Sequence, residues 1–127
     1  MSRGAGGALR HLGIVAVYVA ATVAFTWPLV RDLTHALPDP VGILGPMGWA
    51  YVQDIQHHAW GLSWLARVLT TNPLALYDAP IFHPAPHALA YTEHFLGHAP
   101  VAVPTYLISR NPVLTYNLVL LSCFLGC

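Results

Sequence analysis

The feature that most limits this chain is a stretch without a single charge, "LGIVAVYVAATVAFTWPLV", residues 12–30. A helix of that length rises roughly 28 Å, close to the hydrocarbon thickness of a bilayer. The run is long for the apolar region of a secretion signal, and no A-x-A triplet follows its core. It therefore predicts an uncleaved transmembrane helix over 12–30. Arg3 and Arg10 precede it, Arg31 follows it, and Trp27 near its far end suits the membrane interface. The positive-inside rule then puts the arm 1–11 in the cytoplasm and the chain beyond Arg31 outside. That arm, "MSRGAGGALR", is rich in glycine and is expected to lack order up to Leu9.

A second apolar run follows Asn111-Pro112: "VLTYNLVLLSCFLGC", residues 113–127. It is expected as the start of a second transmembrane helix, cut short. The chain then reads as a fragment whose partners are the bilayer and the remaining transmembrane helices of a longer parent. Cys123 and Cys127 share a helix face but do not form a CxxC pair, so they read as small packing residues. Composition agrees with a membrane setting: 56% of the 127 residues are hydrophobic and 8% are charged, against about 25% charged in ordinary soluble domains. Lysine is absent, and five arginines balance four aspartates and one glutamate. No basic patch exists to neutralise phosphates, which excludes a nucleic-acid partner.

The expected fold class is thus mainly α, an integral membrane chain with two transmembrane helices joined by a long extracytoplasmic loop, 31–112. That loop holds ten of the eleven prolines and seven of the eight histidines. Pro38, Pro40 and Pro46, then Pro73, Pro80, Pro84 and Pro86, forbid long helices over much of it. Two stretches escape. Residues 48–71 contain no proline and predict a helix of about six turns. Residues 96–110 are apolar but carry Pro100 and Pro104, which predicts a short, kinked helix. Both are expected to lie parallel to the membrane surface. "GAGG" at the N-terminus precedes no strand and is not a phosphate loop.

The stretch "YVQDIQHHAWGLSW" carries the chemistry. Helical spacing puts Asp54, His57, His58, Gly61 and Leu65 along one side. Trp49, Trp60 and Trp64 suit the headgroup region, which would turn Asp54 toward an aqueous cleft outside the bilayer. Asp54 is either a carboxylate that does chemistry, or a solvated or helix-capping one, or an ion-pair partner for Arg31 or Arg67. His57 and His58 are polar-face residues, or join Asp54 as two metal ligands that need others from distant sequence. In "HPAPHALAYTEHFLGH", Glu93 precedes His94 and His98, the wrong order for a helical zinc-protease site, which is excluded. Glu93 is a second acid for a cleft or a charge favoured by a helix dipole. Asp39 and Asp78, in "PDP" and "YDAP", are explained by turn chemistry.

Taken together, "TWPLVRDL", then Asp54 with Trp60 and Trp64, then "NPLALYDAPIFHPAPHALAYTEHFLG" and "NPVLTYNLVLLSCFLG" resemble a known pattern. Over residues 25–126 the chain resembles the N-terminal module of bacterial GT-C superfamily membrane glycosyltransferases, of the dolichyl-phosphate-mannose mannosyltransferase-like kind. The resemblance implies a multi-pass protein of the inner (plasma) membrane. Its first extracytoplasmic loop would carry two membrane-parallel helices and an acid that acts as catalytic base or binds a divalent metal ion. It implies transfer of a sugar from a polyprenyl-phosphate donor to an extracytoplasmic acceptor, with Asp54 as that catalytic residue. Glu93, His57, His58 and Arg67 would serve substrate binding, and Arg31 and Arg110 are further cations for the departing phosphate. Asp54 is flanked by Gln53 and Ile55, so the second acid of the family's paired motif is missing beside it. Two other readings stay open: a non-enzymatic transporter or assembly factor for lipid-linked glycans, and a single-span anchor with a histidine-rich metal-binding loop.

Overall fold

The computed structural model describes residues 3–126, and side chains from Gly7 onward. Among the described residues the chain is mainly helical and has no strand. Helix α1 spans Arg3–Phe25. It starts well before residue 12 and stops before residue 30, so both expected boundaries shift toward the N-terminus. The arm joins the helix because Ala, Leu and Arg are strong helix formers, and the long run behind them has already met the cost of nucleation. Each glycine on an exposed face costs only about 1 kcal/mol. Pro28 sets the other end, since it has no N–H and disfavours helical geometry at Trp27. The last turn closes on the Thr22 carbonyl, which accepts from the Thr26 N–H at 3.0 Å and the Thr26 hydroxyl at 2.7 Å.

Residues Gly7–Phe25 of α1 form a 19-residue segment of mean hydropathy 1.7, long and apolar enough to cross a bilayer, with 6% of it buried. It packs on α5, Pro112–Gly126. At 15 residues α5 is apolar but shorter, so among the described residues one helix is both long and apolar enough to be a span. Cys127 of the second expected segment lies outside the described residues.

Between them come the four-residue α2, Val41–Leu44, then α3, Gly48–Thr71, and α4, Ala99–Ser109. The proline-free window coincides with α3. Helix α4 begins later than residue 96, because Leu96–His98 form a separate 3-10 turn. Pro100 sits in the first turn of α4, where an N–H has no intrahelical partner anyway, while Pro104 lies inside and deletes one bond. Arg110 takes the left-handed conformation, φ 52°, and ends the helix. Asn111 then caps α5: its Oδ1 accepts the Leu114 N–H at 3.1 Å, and Pro112 occupies the first helical position.

The core is the junction of α3, α4 and α5. Leu62, Ala102 and Val119 meet there with Phe95 and Tyr116 against them, and Leu65, Val68 and Leu76 form an adjoining cluster with Trp64. The two loop helices thus pack on each other. Ala59, Leu62, Leu65, Ala66 and Val68 recur at helical spacing and are all buried, whereas Gly48 is the one buried residue of α3 before Ala59. The helix is anchored by its second half, and its first half projects.

Two contacts hold this arrangement. A Cβ on Gly61 would stand 2.7 Å from the Phe95 ring, so only glycine lets that ring lie on α3. Asn117, fully buried in α5, donates through Nδ2 to the carbonyls of Leu33 at 2.9 Å and Ala36 at 2.7 Å. Asn111 Nδ2 adds a bond to the Thr34 carbonyl at 2.9 Å. The turn leaving α1 is therefore stitched to α5. Gly61→Ala is expected to lower the stability of the full chain in detergent micelles by about 1–3 kcal/mol through overpacking. Gly13→Ala, where nothing lies within 4 Å of the added carbon, should leave the melting temperature unchanged or slightly raised. Asn117→Asp loses both donors while keeping the shape and should cost about 1–3 kcal/mol by the same thermal melt.

Candidate functional site

The projecting half of α3 forms one wall of a cleft of about 830 Å³. Tyr51, Asp54, Ile55 and His58 share that wall because three- and four-residue spacing puts them on one face. The end of α1 supplies Phe25, Trp27 and Leu29, the segment before α2 supplies Leu37 to Pro40, and α5 supplies Tyr116, Leu120 and Phe124. Most of this lining is apolar. Asp39, Asp54 and His58 are its titratable groups apart from the tyrosines.

Each polar group has a local reason for its place. Asp39 Oδ1 accepts the Val41 N–H at 2.9 Å and starts α2, as its turn context predicts, and it faces the same cleft as Asp54. Helix α2 is set against the start of α3 by Gly48, where a Cβ would lie 2.6 Å from the Val41 Cα. Asp54 itself is exposed. Among the described residues it has no ion-pair partner within 4.0 Å. The expected pairing with Arg31 or Arg67 is not made: Arg31 lies over the Trp27 ring at 5.4 Å, and Arg67 lines a separate groove.

The remaining sequence candidates disperse. His58 lines the cleft and sets its ring edge-on to Phe95 at 5.0 Å. His57, its neighbour, turns toward Trp60, ring centroids 5.8 Å apart, and is not part of the cleft lining. Glu93 is exposed and lines neither the cleft nor the groove that holds Arg67. Asp78 pairs with His87 at 2.7 Å, joining the two proline-rich turns rather than acting alone in its own. No group of three or more His, Cys, Asp or Glu that could hold a metal ion occurs among the described residues. The donor set around Asp54 therefore does not fit a divalent ion bound by protein ligands alone.

One electrostatic device was not legible in advance. Asp32 Oδ1 accepts from the His35 backbone N–H at 3.1 Å and the Thr34 hydroxyl at 3.3 Å, and lies 2.8 Å from His35 Nδ1. The His35 side chain is the main cause that holds the Asp32 carboxyl below its ordinary value, over the opposing effect of desolvation. The signal was present as "DLTH", an aspartate followed by threonine and histidine at two and three residues. Asp39 on the cleft wall carried no such signal, since its partner across the cleft is distant in sequence.

Comparison of the chain with family models, with curated proteins and with solved structures found no match.

Because folding depresses the Asp32 pKa, its contribution to the turn is complete above the unfolded value of 3.8 and is lost as pH falls through the lower folded value. The protection of the His35 and Ala36 amides against hydrogen exchange, relative to their intrinsic rates, should accordingly fall in that acidic window. Asp32→Asn should make it less sensitive to pH there.

Proposed function

We propose that this chain is the N-terminal part of a multi-pass membrane glycosyltransferase of the GT-C type, acting on a polyprenyl-phosphate sugar at the extracytoplasmic face. The observation that carries the reading is the position of Asp54, on the wall of an apolar cleft that adjoins the end of the helix long enough to span a bilayer. An apolar cleft at that level suits an isoprenoid chain, and a carboxylate on its wall suits an acceptor hydroxyl. In this reading α1 crosses the membrane with its N-terminus in the cytoplasm, α5 opens a second span, and the three-helix core lies outside.

The chemistry follows from the side chains present. Asp54 accepts the proton of the acceptor hydroxyl as the oxygen bonds to the anomeric carbon and the bond to the lipid phosphate breaks. His58, four residues along the same wall, is the group of the cleft lining able to carry positive charge toward the departing phosphate. No step is assigned to a metal, in keeping with the donor set. A second reading, a non-enzymatic transporter or assembly factor for lipid-linked glycans, is favoured by the exposure of Asp54 and its lack of a charged partner.

The test uses the full-length parent protein in proteoliposomes with a panel of polyprenyl-phosphate sugars. Asp54→Asn is expected to lower turnover by about 10²–10⁴-fold with insertion and folding unchanged. Asp39→Asn keeps an oxygen for the Val41 N–H and should stay within a few-fold of wild type. Equal turnover in Asp54→Asn and wild type would remove the base role. Absence of turnover with every donor would favour the second reading.

A further inference from the structure

A second concavity, of about 320 Å³, lies along α3 where it meets α4, and nothing above assigns it a role. Its lining includes Gln56, Trp60, Ser63, Trp64, Arg67 and Tyr106. The Trp60 and Trp64 rings are within 15° of parallel, with centroids 6.3 Å apart. That separation is too small for a ligand ring to enter between two indoles, which needs roughly 7 Å for two van der Waals layers. The indoles therefore form a stepped platform along the helix. Trp64 is fixed in it by its Nε1–H, which donates to the Leu76 carbonyl at 3.1 Å. Trp60 is braced from the other side by His57.

Around this platform stand groups that are not engaged elsewhere. Among the described residues the Arg67 guanidinium has no carboxylate within 4.0 Å, and the Gln56 amide is exposed. A lipid acyl chain would use the indole faces but leave the guanidinium and amide unmatched. A pyranose ring uses all three: its C–H face stacks on indole, its hydroxyls bond the amide, and an acidic substituent meets the cation.

We propose that the Trp60–Trp64–Arg67 groove binds an anionic saccharide, a hexuronate or a sugar phosphate, either free or as the headgroup of a lipid. The site is separate from the cleft that holds Asp54 and serves a transferase or a glycan-handling protein equally, so it does not rest on Asp54 being a base. Its position beside α4 gives it a second polar edge at Tyr106, whose ring also carries the Arg110 guanidinium at 6.0 Å.

The experiment is saturation-transfer NMR with competition on the full chain in nanodiscs, using glucuronic acid, glucose 1-phosphate and glucose as probes. The two anionic sugars are expected to show saturation on their ring C–H protons and to bind at least tenfold more tightly than glucose. Arg67→Gln should reduce the anionic sugars to the level of glucose. Trp60→Ala should abolish saturation for all three, and Trp60→Phe should restore part of it, which separates loss of the platform from loss of the fold. Nanodiscs doped with a glucuronate-headed glycolipid should compete with the free sugar if a lipid headgroup can enter, and leave it bound if only free saccharide does. Unaltered binding in Trp60→Ala, no saturation for any probe, or equal affinity for glucose and glucuronic acid would each overturn the proposal. Because the readout is binding, it stands or falls independently of turnover in Asp54→Asn.

Discussion

The grip of Asn117 on the turn after α1 is the interaction on which the rest of the molecule depends. A primary amide in the middle of an apolar helix is costly unless its hydrogens are used. Here both are spent on the carbonyls of Leu33 and Ala36, two backbone groups of the turn that follows α1. The side-chain oxygen has no partner among the described residues. Since the amide nitrogen is the atom bonded to two acceptors, its orientation is fixed by the carbonyls themselves. This pins the exit of α1 to the first two turns of α5, and α5 in turn packs on α3 and α4. Without that pin, α1 would be joined to the core by chain connectivity, its packing on α5 and the single Asn111–Thr34 bond.

From this anchor the two concavities follow as different surfaces of one helix. The buried half of α3 is held by Leu62 and Leu65, so its outer faces are fixed in direction. One carries Asp54 and His58 toward the end of α1, and another carries Trp60, Trp64 and Arg67 toward α4. The change of face comes from helical rotation: residues 54 and 58 are four apart, as are 60 and 64, but the six-residue offset between the pairs turns them about 120° apart around the axis. A single rigid element thus presents a carboxylate in apolar surroundings and a cation beside aromatic rings without the two interfering.

Much of this was readable in the residues because it depends on local rules. The proline-free window gave α3 to the residue, Asn111-Pro112 marked the start of α5, and the uncharged run marked the long helix. What could not be read depends on partners far apart in the chain. The packing of α3 on α4 was not legible, because Trp49, Trp60 and Trp64 look interfacial in isolation, while the buried small residues Ala59, Gly61 and Ala102 carry no such label. Asn117 looked like an incidental polar residue in "VLTYNLVLL" because its acceptors lie more than eighty positions earlier. The candidate site divided in the same way: Asp54 and His58 were found together by helical spacing, while Asp39 joined them only through the return of the chain around α2.

Gly48 has a consequence for how the cleft can vary. The contact that seats α2 on α3 runs from one backbone to another, 2.6 Å from where a side chain would begin. The gap between the Asp39 segment and the free half of α3 is consequently gauged by main-chain atoms, as a spacer gauges two plates. Changing Ile43, Leu44 or Tyr51 would deepen or shallow the cavity while the distance between its two acidic walls stayed the same. Variation among sequences built on this plan would then alter the depth of the cavity, and leave the reach of the carboxylates as it is.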